Sequence, residues 1–99
     1  MTTFIAGQRV EVPQSSGAEP PVTLAPVGAT DCHIHIFNPL FPRVIGKVAP
    51  DSTVEDLLLL RRRLGLSRTV VVHPSTYGDD NRALFDALER LGETARGVA

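Results

Sequence analysis

The order of the hydrophobic patterns along the chain is the feature that most constrains its fold. Short apolar runs at about 30–36 and 68–73 are each followed by a longer segment with a helical stripe of leucines, and a further run opens at about 96. Strands that alternate with amphipathic helices build a parallel sheet through right-handed crossovers. The pattern therefore predicts an α/β fold with the order β-α-β-α-β.

End signals support the first predicted helix, at about 53–64. Ser52 and Glu55 have the spacing of a capping box, and Gly65 stands where a left-handed C-cap belongs. The run Arg61-Arg-Arg63 is expected to be a solvated helix end that complements the helix dipole.

The second predicted helix covers about 80–91, and Gly92 follows it as a stop signal. Any of three residues can cap its start, namely Asp79, Asp80 or Asn81. Its apolar stripe is expected to consist of Leu84, Phe85, Leu88 and Leu91.

Composition sets the general class of the protein. The chain has 99 residues, of which 42% are hydrophobic and 21% charged, and this is typical of one globular domain. A net charge of −1 offers no reason to expect nucleic acid or an anionic membrane as a partner. No apolar run is long enough to cross a bilayer, and residues 1–10 do not have the pattern of a secretory leader, so we expect a cytoplasmic protein.

The N-terminal segment differs from the remainder. Residues 1–28 contain four prolines and show neither a strand nor a helix period, so they are expected to form an arm that either lies extended over the domain or is disordered. We place the α/β domain at 29–99.

Alternation around the first strand suggests chemistry. Side chains of a strand alternate between faces, so His33 and His35 are expected to share one face about 6 to 7 Å apart, two residues beyond Asp31. Two histidines on one face can bind a metal or polarise a carbonyl group. Asp31 is either a structural hydrogen-bond acceptor or a catalytic residue. The opposite face is expected to be apolar, with Cys32 as a packing residue beside Ile34 and Ile36.

The size of the chain limits what it can build. Two and a half β/α units cannot close a (β/α)8 barrel, which takes eight strands and about 250 residues. The chain is therefore expected to be incomplete as an enzyme and inactive alone, either as a truncated product or because the missing part is encoded elsewhere. Four side chains are expected to remain partly unpacked and to promote self-association: Val54, Leu57, Leu84 and Leu88.

Three segments carry a resemblance to a known family. They are Thr-Asp-Cys-His-Ile-His-Ile-Phe-Asn-Pro at 30–39, Phe-Pro-Arg at 41–43, and Leu-Gly-Leu-Ser-Arg-Thr-Val-Val-Val-His-Pro-Ser-Thr-Tyr-Gly-Asp-Asp-Asn-Arg at 64–82. Together they resemble the N-terminal third of amidohydrolase-related (β/α)8 barrel proteins. The resemblance is strongest to the branch of 2-pyrone-4,6-dicarboxylate lactonase and galactarolactone isomerase, and it covers about residues 26–99.

The resemblance implies hydrolysis or isomerisation of a small carboxylated lactone without a metal cofactor, and a hydrolase is the expected class. It gives His33 and His35 the role of polarising the scissile carbonyl group, and it gives Ser75 a substrate carboxylate to bind. His73 stands where the family usually has Gln, and it is either a substrate contact or a structural residue. Tyr77 either contacts substrate or packs its loop.

Two alternatives remain open. Most of the wider superfamily binds zinc or another divalent metal, and in a metal-dependent amidohydrolase or decarboxylase His33 and His35 would be ligands. A truncated, catalytically inactive fragment is the other alternative, and the length of the chain favours it.

Overall fold

The fold is a small parallel sheet with its helices in the intervening crossovers, as the sequence pattern predicts. A computed structural model describes residues 6–99. Its three parallel strands lie in the order β1-β2-β3, with the bounds Thr30–Ile34, Arg68–Val72 and Ala95–Val98. The helices are α1 and α2, with the bounds Val54–Leu64 and Arg82–Leu91. Short 3-10 turns occupy Ser75–Tyr77 and Gly92–Thr94. No helix within 6–99 is long and apolar enough to cross a membrane.

The core lies between the sheet and the two helices. Its buried members come from both layers: Ile36, Val54, Leu57, Val71, Leu84, Ala87, Leu91 and Ala95. The expectation that the helices remain unpacked is therefore wrong for Val54, Leu57 and Leu84, because these side chains are buried in this cluster. Leu88 is partly buried against the same cluster.

The apolar stripe of α2 differs from the prediction at one position. Phe85 is 60% exposed, whereas Ala87 has no exposed surface. Successive helical residues are about 100° apart around the axis, so Phe85 lies well to one side of Leu84 and away from the sheet. The predicted stripe is therefore wrong in including the bulky Phe85 and in omitting the small Ala87.

The helix ends are set by local hydrogen bonds. At α1 the capping box is formed by Thr53 and Asp56, with bonds of 3.3 and 3.1 Å, rather than by Ser52 and Glu55. Ser52 instead exchanges backbone hydrogen bonds with Phe37, in an isolated antiparallel bridge. Gly65 has φ 82°, and this confirms the predicted left-handed C-cap.

At the start of α2 the carboxylate of Asp80 provides the hydrogen bond. It accepts from the backbone nitrogen of Arg82 at 3.0 Å and pairs with the Arg82 guanidinium at 2.8 Å. These side-chain and backbone hydrogen bonds lower the pKa of Asp80 to about 2. Asn81 is the N-cap by position, and its side chain makes no capping bond.

The expected solvated arginine run is wrong for two of its three members. Arg61 and Arg63 are only 5% and 6% exposed, while Arg62 is exposed. The Arg61 guanidinium donates to the hydroxyl of Thr69 at 3.0 and 2.6 Å and to the hydroxyl of Thr94 at 3.0 Å. Burial lowers the pKa of Arg61, and the charge of Asp31 acts in the opposite direction. Arg61 thus joins α1 to the starts of two strands.

Arg63 holds the N-terminal arm. Its guanidinium donates to the carbonyl oxygens of Gly17 at 2.9 Å and Ser16 at 3.3 Å, and it also bonds the Ser15 hydroxyl. Between residues 6 and 29 the arm has no helix or strand, and it lies along α1. The first five residues of the predicted arm lie outside the described residues.

We expect Arg61→Lys to destabilise the fold by about 2 to 4 kcal/mol, because a single ammonium cannot replace a buried guanidinium that bonds two hydroxyls at once. Arg62→Lys is the matched control, and we expect it to stay within about 0.5 kcal/mol of the unchanged chain. Urea unfolding followed by circular dichroism measures both. Equal stability of the two variants would contradict the assigned role of Arg61.

Candidate functional site

A β-bulge interrupts the alternation of β1 just before the histidines. Asp31 pairs with Thr69 and Ile34 pairs with Val71, so one more residue lies on β1 than on β2 between these two pairs. Paired residues of neighbouring strands point to the same face of a sheet, and Thr69 and Val71 are both buried on the helix side. Asp31 therefore lies on the helix face with Ile34. The alternation expected from the sequence starts only after the bulge.

The bulge decides the surroundings of Asp31 and Cys32. Burial lowers the pKa of the Arg61 guanidinium, and the Asp31 carboxylate is close enough to oppose that shift in part. Asp31 also accepts a 3.3 Å hydrogen bond from the backbone nitrogen of His33. These contacts support the structural alternative for Asp31. Cys32 is exposed, so the expectation that it packs in the core is wrong.

His33 and His35 come together as predicted. Their ring centroids are 5.2 Å apart, and the ring planes are almost perpendicular, at 88°. Both side chains are exposed, while their neighbour Ile36 is buried in the core. His33 lies within β1 and His35 lies one residue beyond its end. The prediction that the two imidazoles share one face at the carboxyl end of the strand is confirmed.

A hydrogen bond to the second strand orients His35. Its Nδ1 lies 2.9 Å from the carbonyl oxygen of Val72, the last residue of β2. A carbonyl oxygen can only accept, so Nδ1 carries the proton in this contact. Neutral His35 consequently presents the lone pair of Nε2, and it is not a donor at that nitrogen. The two histidines are therefore not chemically equivalent.

The three predicted site residues of the second loop have different surroundings. Ser75 is exposed at the start of the 3-10 turn after β2. Tyr77 is 3% exposed, and its hydroxyl donates to the carbonyl oxygen of Asn38 at 2.8 Å. His73 Nε2 lies 2.6 Å from the carbonyl oxygen of Gly78. Ser75 is the exposed residue of the three, His73 is partly buried, and Tyr77 is buried.

A cleft of about 330 Å³ lies along the free edge of β1, beside the histidine pair. One wall is β1 itself, the second is α1, and the third is the arm. Asp56 and Gln14 are the longer polar residues that the other two elements contribute. The sequence pattern singles out neither of them, because the arm shows no period and Asp56 falls within the first turn of the predicted helix, where an acidic residue is common.

The described residues cannot complete a metal site. Within 6–99 no three side chains of the His, Cys, Asp or Glu type are close enough together to hold an ion. The pair His33 and His35 can provide at most two ligands, and the Nε2 lone pair of His35 is the form that ligates.

Comparison with known proteins shows which proteins this chain resembles. The chain is 42% identical over 83 residues to a 4-sulfomuconolactone hydrolase of Rhizobium radiobacter, which corresponds to 79% of the chain and 28% of that protein. It is 45% identical over 78 residues to a 2-pyrone-4,6-dicarboxylate hydrolase of Comamonas testosteroni, covering 75% of the chain and 26% of that protein. No protein-family model matches the chain.

Solved structures show the same fold. An apo crystal structure of an Agrobacterium tumefaciens protein superimposes with a TM-score of 0.73 at 25% identity, over 81% of the chain and 30% of that protein. A probable 2-pyrone-4,6-dicarboxylic acid hydrolase of Acinetobacter baumannii, crystallised with citric acid, superimposes with a TM-score of 0.64 at 24% identity, over 74% of the chain and 28% of that protein. The chain is thus similar to lactone hydrolases, and it spans little more than a quarter of their length.

The contact between His35 and Val72 predicts the protonation of the ring. We expect neutral His35 to carry its proton on Nδ1, because Val72 offers only an acceptor. Long-range ¹H–¹⁵N correlation spectra of the labelled chain distinguish the two tautomers. Protonation of neutral His35 on Nε2 would contradict the hydrogen bond.

Proposed function

We propose that this chain provides the first strands of a (β/α)8 barrel enzyme that hydrolyses a small carboxylated lactone without a metal cofactor. The observation that carries the proposal is the exposed pair His33 and His35, with ring centroids 5.2 Å apart at the carboxyl end of β1. Active sites of such barrels lie at the carboxyl ends of the strands. The names of the similar proteins support the substrate class.

The tautomer of His35 gives the two histidines different roles in the proposed reaction. Lactone hydrolysis builds negative charge on the carbonyl oxygen, and a hydrogen-bond donor at that oxygen lowers the barrier. Neutral His35 already donates through Nδ1 to Val72, so its Nε2 can only accept. We therefore assign the donor role to His33. His35 joins it as a donor only in the doubly protonated form.

Ser75 is the residue of the second loop that we assign to substrate. Its exposed hydroxyl stands after β2, the neighbour of β1, and a hydroxyl can donate to a substrate carboxylate. The Tyr77 hydroxyl and the Nε2 of His73 already donate to backbone carbonyl oxygens, so we assign the substrate contact to Ser75 rather than to these two residues. The water-activating group is not assigned to this chain.

One observation favours a metal-dependent amidohydrolase or decarboxylase as the second candidate. The neutral tautomer that Val72 imposes on His35 leaves Nε2 free, and metal-ligating histidines are commonly oriented by such a bond from the other ring nitrogen. A divalent metal would supply Lewis acid chemistry when bound. The remaining ligands would have to come from outside the described residues.

The number of strand ends in this chain limits the activity that it can have alone. Catalysis in a (β/α)8 barrel draws on the ends of several strands, and this chain provides two strand ends with polar site candidates and a third strand, β3. We therefore propose that the chain alone is catalytically inactive. We also propose a cytoplasmic location, which the composition of an ordinary globular domain supports.

His33→Ala tests the proposed chemistry. In an active protein that carries this segment, we expect kcat for lactone hydrolysis to fall about 10²- to 10³-fold, the usual scale for one lost oxyanion donor. Cys32→Ala is the matched control, since Cys32 is an exposed neighbour on the same strand, and we expect its kcat to change less than about twofold. Steady-state kinetics on a carboxylated lactone measures both variants. Unchanged kcat in His33→Ala would refute the proposal.

Exhaustive chelation separates the two candidate functions. We expect the same protein to retain its lactonase activity, because the proposed donor acts without a metal. Activity after dialysis against a chelator and metal content by mass spectrometry are measured on one sample. Stoichiometric zinc together with activity that disappears on chelation and returns on adding zinc would establish the metal-dependent candidate instead.

A further inference from the structure

His73 lies on the other side of the sheet from the histidine pair. It follows β2 directly, and its backbone nitrogen donates to the carbonyl oxygen of Val98 at 2.8 Å, so it continues the pairing with β3. Alternation along β2 places it on the same face as Thr69 and Val71, which are buried toward the helices. This placement separates His73 from His33 and His35.

The imidazole of His73 closes the loop that follows it. Nε2 lies 2.6 Å from the carbonyl oxygen of Gly78, and this oxygen can only accept, so Nε2 carries the proton. Gly78 has φ 59° and ψ −126°, and a Cβ atom at this position would lie 3.0 Å from Val44 Cγ2. The glycine conformation thus allows the carbonyl group to turn toward the imidazole ring.

Two other contacts join the same loop to the segment that follows β1. The Tyr77 hydroxyl donates to the carbonyl oxygen of Asn38 at 2.8 Å, and the backbone nitrogen of Val44 donates to the carbonyl oxygen of Thr76 at 2.8 Å. Within this loop Thr76 and Tyr77 are buried and Ser75 is exposed. The loop that carries Ser75 is therefore fixed by His73 and by the segment that contains Asn38 and Val44.

The surroundings of the second ring nitrogen of His73 argue against a direct contact between this ring and substrate. Nδ1 is buried and has no hydrogen-bond partner in the described part of the chain. A residue that binds substrate through the ring needs a ring nitrogen that substrate can reach. Here one nitrogen is engaged by Gly78 and the other is enclosed.

We infer that His73 is a positioning residue, which fixes the loop 74–78 by donating from Nε2 to the Gly78 carbonyl and thereby sets the place of the Ser75 hydroxyl. The inference rests on the proposed function only for the consequence at Ser75. The hydrogen bond and its effect on the loop are testable without any activity.

The first test uses the unchanged chain. Long-range ¹H–¹⁵N correlation spectra should show neutral His73 protonated on Nε2 and neutral His35 protonated on Nδ1, so the two rings serve as internal references for each other. Protonation of His73 on Nδ1 would overturn the inference, and this result does not depend on the folding of any variant.

Two amide variants of His73 then distinguish the effect of the hydrogen bond to Gly78 from the effect of any polar side chain at this position. The amide nitrogen of Gln reaches the place of Nε2, whereas that of Asn reaches only the place of Nδ1. In His73→Gln we expect the amides of the loop to exchange their hydrogens as slowly as in the unchanged chain. In His73→Asn we expect these amides to exchange roughly tenfold faster. Equal protection in the two variants would overturn the inference.

Kinetics in an active protein that carries this segment completes the test. We expect His73→Asn to raise KM roughly tenfold with kcat within about twofold, and His73→Gln to restore KM. Ser75→Ala should raise KM in the same way. If His73→Asn loosens the loop while neither it nor Ser75→Ala changes KM, the positioning of the loop stands and the proposed role of Ser75 is overturned.

Discussion

The parallel pairing of β2 with both of its neighbours is the interaction on which the rest of this structure depends. β2 lies between β1 and β3, and its Val71 is 1% exposed in the middle of the core. Parallel strands place their carboxyl ends at one edge of the sheet. For this reason the segments that follow β1 and β2 meet, and His35 can bond the last carbonyl group of β2.

The two ends of the sheet have different chemistry. At the strand starts, Arg61 binds the hydroxyls of Thr69 and Thr94 beside the charge of Asp31, and all of its contacts are internal. At the strand ends, His33 and His35 are exposed next to an open cleft. The buried guanidinium of Arg61, whose hydrogen bonds are satisfied within the protein, stabilises the fold. The exposed imidazoles of His33 and His35 can contact a ligand.

Local signals in the sequence predicted the elements well where the cause is local. Gly65 ends α1 in the left-handed conformation, since glycine adopts positive φ without strain. The observed capping box lies one residue beyond the predicted one. Ser52 and Thr53 are both good caps by residue type, and only the bridge between Ser52 and Phe37 selects Thr53. The burial of Arg61 and Arg63 has no local signal. It depends on Thr69, Thr94 and the carbonyl oxygens of the arm, which are distant in the chain.

The sequence by itself determined the order of strands and helices and the shared face of His33 and His35, because hydrophobic period and side-chain alternation are properties of neighbouring residues. The tertiary structure decided what those residues do. The bulge in β1 moves Asp31 to the helix side, Val72 sets the tautomer of His35, and Gly78 engages His73. A bulge arises from pairing with another strand, and a tautomer from a hydrogen bond across the sheet, so neither can be read from residues that are adjacent in the chain.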